Sequence, residues 1–253
     1  MFDDLDWSVV LLSPGRDMLL SGLWVTIQLA VYGIVLATII GILIAMGRVT
    51  SSAHLAPLRW ALTAYVEFFR NVPLLVQIVF WGFGMFSLDF VRAIAAPLNP
   101  VYPNQFLAGL CGLVVYSSSY IAEVLRSGFQ SVPKGQMEAA RASGLGYVGA
   151  MQHVIIPQVF RLVLPALGNQ YIGLTKNTSV VLFIGAMDLV FQAQQLEAIT
   201  FRAVEAFSAV IIIFIVLCVG EAALLHALSR RSARSKRSAS VRPKSNASLE
   251  EAS

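Results

Sequence analysis

From Met18 to Met46 the chain carries no charged side chain. A helix needs about 20 mostly apolar residues to cross the hydrocarbon core of a bilayer. This run exceeds that length, so it can tilt or project beyond the membrane. Four further apolar stretches follow, at about residues 62–88, 105–125, 160–186 and 204–228. Only 13% of residues are charged and 57% are hydrophobic, against roughly 25% charged in a soluble domain. That deficit of charge leaves too little polar surface for a water-soluble fold. The sequence therefore predicts an all-α, polytopic membrane protein with about five transmembrane helices, since in lipid a spanning segment must satisfy its own backbone.

Three regions follow from this pattern: an N-terminal segment (1–17), a transmembrane domain (18–228) and a basic tail (229–253). Asp3, Asp4 and Asp6 precede the first apolar run with no basic stretch among them, so no cleaved signal peptide is expected. Residues 90–104 read as loop, broken by Pro97, Pro100 and Pro103. From Ser229 the chain is mostly Arg, Lys and Ser and is expected to be disordered. Cys111 and Cys218 both lie in apolar runs and read as buried structural thiols rather than a disulfide or metal site.

Five crossings put the two ends on opposite sides, and the Lys/Arg bias decides which side is which. One set of connecting segments holds Arg48, Arg59, Arg126, Lys134, Arg141 and Arg161, together with seven basic tail residues from Arg230 to Lys244. The other set holds Arg16, Arg92 and Arg202. The N-terminus is therefore expected outside and the C-terminus inside.

The longest polar insert, residues 130–157, falls on the inner side. Ser131 is the expected N-cap with Pro133 in the first turn, and residues 136–143 are rich in helix formers. Gly144-Leu145-Gly146 should break that helix, and residues 147–154 can form a second short one. The small Ala139, Ala140 and Ala142 would let a partner backbone approach, while Glu138 and Arg141 offer directional charge. By composition alone an ordinary cytoplasmic loop fits as well.

The spacing adds to this. Glu138-Ala139-Ala140, three residues, Gly144, nine residues, then Val154-x-Ile156-Pro157 resembles the EAA loop of binding-protein-dependent ABC transporter permeases. Val154 stands where Ile is usual and Ile156 where Leu is usual, both mild apolar exchanges. The stretch from Tyr65 through Glu67, Arg70, Asn71 and Pro73 to Gln77 is similar to the polar amino-acid branch of these permeases, most of all to the glutamate/aspartate type. So are Leu164-Pro165 and Lys176-Asn177-Thr178-Ser179.

The resemblance implies a permease subunit of an inner-membrane importer for a polar amino acid. Its coupling helix, carrying Glu138, Ala139, Ala140, Arg141 and Gly144, would seat in a cytoplasmic ABC ATPase dimer. A second permease subunit, identical or homologous, and an extracytoplasmic solute-binding protein complete the implied complex. It implies no cofactor, no metal and no nucleic acid.

The motor is expected to lie elsewhere, because no G-x-x-x-x-G-K-[ST] phosphate loop occurs in the chain. An ion-coupled secondary transporter would call for an acidic or His relay at the midplane or an inverted repeat. Glu67 and Glu123 lie toward the inner side instead, and five spans do not divide into equal repeats. An intramembrane enzyme would need a convergent nucleophile and base, and no such set stands out.

Polar groups within spans are the substrate-pathway candidates, since each is costly in hydrocarbon. Gln170 and Asn177, seven residues apart on one face with Gly173 between, could read the ammonium and carboxylate of an amino acid; interhelical hydrogen bonding is the alternative. Lys176 could attract a carboxylate, or pair with an acid such as Glu123. Thr178 adjoins them. Ser117 to Ser119 are expected to let helices pack closely, and the Gln-rich segment 188–205 could face a binding protein or be a simple amphipathic loop.

Overall fold

A computed structural model of the chain describes residues 5–50 and 53–240. The described residues are helical and contain no strand. In chain order the α-helices are α1 (Ser8–Leu11), α2 (Gly15–Val49), α3 (Ala56–Asn71), α4 (Leu74–Val79), α5 (Asp89–Ala95), α6 (Asn104–Ser131), α7 (Lys134–Ala142), α8 (Tyr147–Ala150), α9 (Ile156–Asn177), α10 (Leu189–Thr200) and α11 (Ala203–Ser240).

Helices α2 and α6 form the central pair and run in the same direction. Tyr32, midway along α2, meets Phe106 near the start of α6, and Arg48 near the end of α2 meets Glu123 further along α6. Between these points a Cβ on Gly41 would lie 2.6 Å from the Ile121 side chain and 3.2 Å from the Ser118 carbonyl oxygen. The two backbones approach this closely only because Gly41 has no side chain. Ser117, Ser118 and Ser119 are buried, and Ser118 Oγ lies 2.9 Å from the Tyr65 hydroxyl. The serine run thus packs as expected and also ties α6 to α3.

Because α2 and α6 are parallel, the chain between them must return across the bilayer once. That return is bent. The second span was expected as one helix over residues 62–88, yet residues 53–71 and 74–87 meet at 106°. Pro73 has no N–H and drives the preceding residue out of helical conformation, and Val72 is extended at ψ 127°. The side-chain amide of Gln77, which is buried, donates to the freed carbonyls of Phe69 (2.9 Å) and Val72 (3.0 Å). With the bent pair counted as one crossing, five spans result.

Helix α9 runs antiparallel to α2 and α6. A Cβ on Gly128 would sit 2.2 Å from Val163 Cγ1, and Thr38 Oγ1 donates to the Tyr171 hydroxyl at 3.2 Å. Helix α11 packs back along α9, where Thr175 Oγ1 donates to Glu221 at 2.9 Å. The expected fourth span began near residue 160, but the helical path is continuous from Tyr147 to Ile184. The expected second short helix is therefore its first turns. Met151–Ile155 is a π turn just before Pro157, whose missing N–H cannot close an ordinary turn there.

At the end of the bundle where α2 begins, α10 caps the structure. Asp188 accepts from Phe191 N–H at 2.9 Å as its N-cap, and Leu189 N–H donates to the buried Thr26 hydroxyl at 3.0 Å. Leu189, Ala193 and Leu196 are buried, so the Gln-rich segment is a packed helix rather than a loose loop. Part of the expected 90–104 loop is likewise helical, as α5. Cys111 and Cys218 are free and half-buried. Helix α11 extends to Ser240, past the expected start of disorder at Ser229, in keeping with the helix propensity of its Ala, Arg and Lys residues. The remainder of the expected tail, residues 241–253, and residues 1–4 of the N-terminal segment lie outside the described residues.

Candidate functional site

The end of the bundle opposite α10 carries α7 on its surface. Pro133 precedes the helix with Val132 extended at ψ 125°. The expected cap at Ser131 is not formed: Ser131 remains the last residue of α6 and its hydroxyl donates to Ser127 O at 2.8 Å. A residue before proline is held extended, and here that residue is Val132, so the chain turns there and Ser131 stays in the preceding helix. The other end of α7 closes as expected. Gly144 adopts φ +89°, its N–H donates to Arg141 O at 3.0 Å, and Leu145 N–H donates to Ala140 O at 3.3 Å. This pair of bonds is a Schellman closure, which needs the left-handed residue that glycine supplies most readily.

The side chains of α7 divide by face. Ala140 is buried, with Met137 packing on the cluster of Ile155, Val159 and Val163. Ala140 was expected to meet a partner; instead it meets its own bundle. Glu138, Ala139, Arg141 and Gly144 are exposed. Among the described residues no side chain or backbone group bonds the Glu138 carboxylate. From behind, Gln158 Nε2 donates to Gln136 Oε1 at 3.3 Å and to Val154 O at 2.9 Å, fixing α7 to the start of α9.

The pathway candidates separate. Gln170 lines a cavity of about 460 Å³ with Arg70, Tyr120, Glu123, Ser127 and Ser131. The Arg70 guanidinium lies 5.4 Å over the Tyr120 ring and 4.0 Å from Glu123, and its Nε is buried without a partner among the described residues. Asn177, at the end of α9, does not line this cavity, and Gly173 between them has open space where a neighbouring backbone was expected. Thr178 is fully buried and donates to Thr175 O at 2.8 Å, so it faces packed protein. Lys176 is exposed at the edge of a second, largely apolar cavity of about 650 Å³ beside Phe214 and Cys218. It does not pair with Glu123, which is held by Arg48 at 2.8 Å and by Arg126.

Two acids escaped the sequence reading of this region. Glu221 lies deep in a span whose one other acid is Glu205 in its first turn, and it bridges α11 to Thr175. Asp188 is buried with Oδ2 unpartnered among the described residues, and burial pushes its carboxyl up to about 6. The Asp188-Leu-Val pattern opening an apolar helix was the available signal.

Residues 33–234, most of the chain, match the model of the family described as binding-protein-dependent transport system inner membrane component. The chain belongs to this family. The permease is 36% identical over 212 residues to the probable glutamine ABC transporter permease protein GlnM of Bacillus subtilis, covering 84% of this chain and 92% of that one. It is 38% identical over 168 residues to the glutamate transport system permease protein GluC of Corynebacterium glutamicum, covering 66% and 72%. A solved amino acid ABC transporter with histidines superposes with a TM-score of 0.76 at 32% identity, covering 90% of this chain and 99% of the other.

The protein is thus the permease of an amino-acid ABC importer, a multi-pass protein of the inner membrane. Its function depends on an ATPase and a binding protein, and ATP hydrolysis belongs to the ATPase partner.

Proposed function

We propose that the permease carries glutamate, aspartate or a related polar amino acid inward by ATP-driven alternating access, as one half of a permease dimer. The α7 end lies in the cytoplasm, in keeping with the Lys/Arg bias of the segments at that end. Glu138, Ala139 and Arg141 dock on the ATPase, with Gly144 closing the helix that presents them. Closure of the ATPase dimer pulls on α7, and α9 transmits the movement because α7 is bonded and packed to its first turns. The observation that carries this reading is α7 itself: a short helix closed by its own backbone, anchored from behind, with an unpartnered carboxylate turned outward.

Substrate passes through the cavity shared by Arg70 and Gln170. The Arg70 guanidinium is suited to a carboxylate and the Gln170 amide to either end of an amino acid. Lys176 and Asn177 line the path beyond it, near the partner permease. The likeness to a permease named for glutamate supports an acidic substrate, while the likeness to one named for glutamine supports its amide. Uptake in proteoliposomes holding this chain with its ATPase and binding protein, screened across amino acids, tests the reading. Saturable ATP-dependent uptake of glutamate or aspartate is expected; uptake of apolar amino acids alone would overturn the substrate assignment.

A further inference from the structure

The α7 end of the bundle holds a group of arginines, of which the Glu123 network uses only part. Arg48, Arg59 and Arg126 line one cavity of about 610 Å³ between the ends of α2 and α6 and the side of α3. Arg48 and Arg126 both bond Glu123. Arg59, half-buried, donates to Thr50 O at 3.1 Å and has no carboxylate within ion-pair distance among the described residues. Glu67 lines the same cavity and is the only acid that does so among the described residues. Three guanidinium groups against the single lining carboxylate of Glu67 leave the cavity positive, and Glu123 with its neighbour Arg70 beyond the lining does not change that sign.

An apolar groove of about 520 Å³ begins where this cavity ends. Val49 and Phe129 belong to both linings, and from them the groove passes Met46, Leu125 and Phe160 toward the middle of the spans. Met46 is 60% and Phe160 52% exposed, so the groove opens on the outer surface of the chain. Trp60, 78% exposed, stands at the rim of the charged cavity. Tryptophan is enriched where headgroups meet hydrocarbon, which sets the rim of the cavity at headgroup depth.

We infer that this corner binds one anionic glycerophospholipid, its phosphodiester among Arg48, Arg59 and Arg126 and one acyl chain in the groove past Met46 and Phe160. The charges match in sign, since a phosphodiester brings a negative charge to a cavity with a positive excess. Basic pockets between transmembrane helices on the cytoplasmic side recognise lipid headgroups in this way. A free phosphate would use the arginines and leave the groove unused, so the apolar groove beside the cavity, sharing Val49 and Phe129 with it, selects the lipid. The lipid would brace Arg59 of α3 against the ends of α2 and α6. The inference rests on the membrane embedding of the chain and not on its substrate, so amino-acid uptake neither proves nor disproves it.

The test is lipid binding to the full-length permease in its complete transporter, delipidated in detergent and titrated with phosphatidylglycerol or phosphatidylcholine while bound lipid is counted by native mass spectrometry. Phosphatidylglycerol should half-saturate the wild type at a concentration at least about fivefold lower than phosphatidylcholine. Arg59→Gln should bring the two within about twofold, and Arg59→Lys should keep the preference. Met46→Trp, which fills the exposed groove and leaves every arginine in place, should lose the tight phosphatidylglycerol site without unfolding. Equal affinity for the two lipids, an Arg59→Gln protein that folds and keeps the preference, or an unaffected Met46→Trp protein would each overturn the proposal. Displacement of the lipid by millimolar glycerol phosphate would reduce the site to a phosphate site and overturn it as well.

Discussion

Arg48 of α2 donates to Glu123 of α6 across 2.8 Å, and Arg126 holds the other carboxylate oxygen. The Arg48 side chain is 6% exposed and that of Glu123 21%. The pair therefore joins two parallel spans where solvent screens it little. Removing one partner from such a pair strands the other charge, at a cost of about 3 kcal/mol. Glu123→Gln, which strands the buried Arg48, should lower stability by about that amount, Arg48→Met should cost less because Arg126 still holds Glu123, and the double variant should cost less than the sum of the two. Thermal unfolding of the four proteins in detergent measures the coupling; strict additivity would show that the pair contributes nothing.

Gly41 sets the distance between α2 and α6. A Cβ there would lie 2.9 Å from Ile121 Cβ, an atom that cannot swing aside. Gly41→Val should reduce the yield of folded permease and lower its melting temperature. The same change at Gly173, where nothing lies within 4 Å, should leave the packing of the subunit intact. Detergent-extracted monodisperse protein is the readout.

Asp188 is held at about 6, above its ordinary value of 3.8, by burial. A carboxyl that binds its proton more tightly when folded favours the folded state as pH falls through that value. The permease should therefore gain stability from Asp188 between pH 7 and pH 4, by at most about 3 kcal/mol. Asp188→Asn keeps an N-cap for Phe191 N–H and removes the charge, so its melting temperature should vary less over that range. An unchanged pH profile in the variant would assign the dependence to other groups.

Gln170 lines a cavity with Arg70 and Asn177 does not. Gln170→Leu should weaken the apparent affinity for substrate in reconstituted vesicles by about tenfold, the equivalent of one charge-assisted hydrogen bond. Asn177→Ala should have the smaller effect. Uptake in which Asn177 dominates would move the substrate path toward the end of α9.

Much of this arrangement is legible in the chain. Apolar run lengths locate the five crossings, and Gly144 marks the close of α7 because a left-handed residue was needed there. What escaped follows from the same averaging that finds a span. A window of apolar residues hides the bend at Pro73, since the uncharged arm after it offsets Glu67, Arg70 and Asn71 before it, and only Gln77 reveals that freed carbonyls need a donor. It hides Glu221 too, one acid among some twenty greasy neighbours. The burial of Ala140 and Thr178 was out of reach for a different reason: which face of a helix meets its own bundle depends on packing against α9 and α6, and a run of small or polar residues does not specify it.

Under the proposed mechanism α7 receives the motor through its outward carboxylate. ATP hydrolysis by the reconstituted complex, stimulated by substrate-loaded binding protein, tests it most directly when measured beside uptake in Glu138→Lys vesicles. The variant should insert and fold normally and lose both stimulated hydrolysis and uptake. Coupled turnover at the wild-type rate in that variant would contradict it.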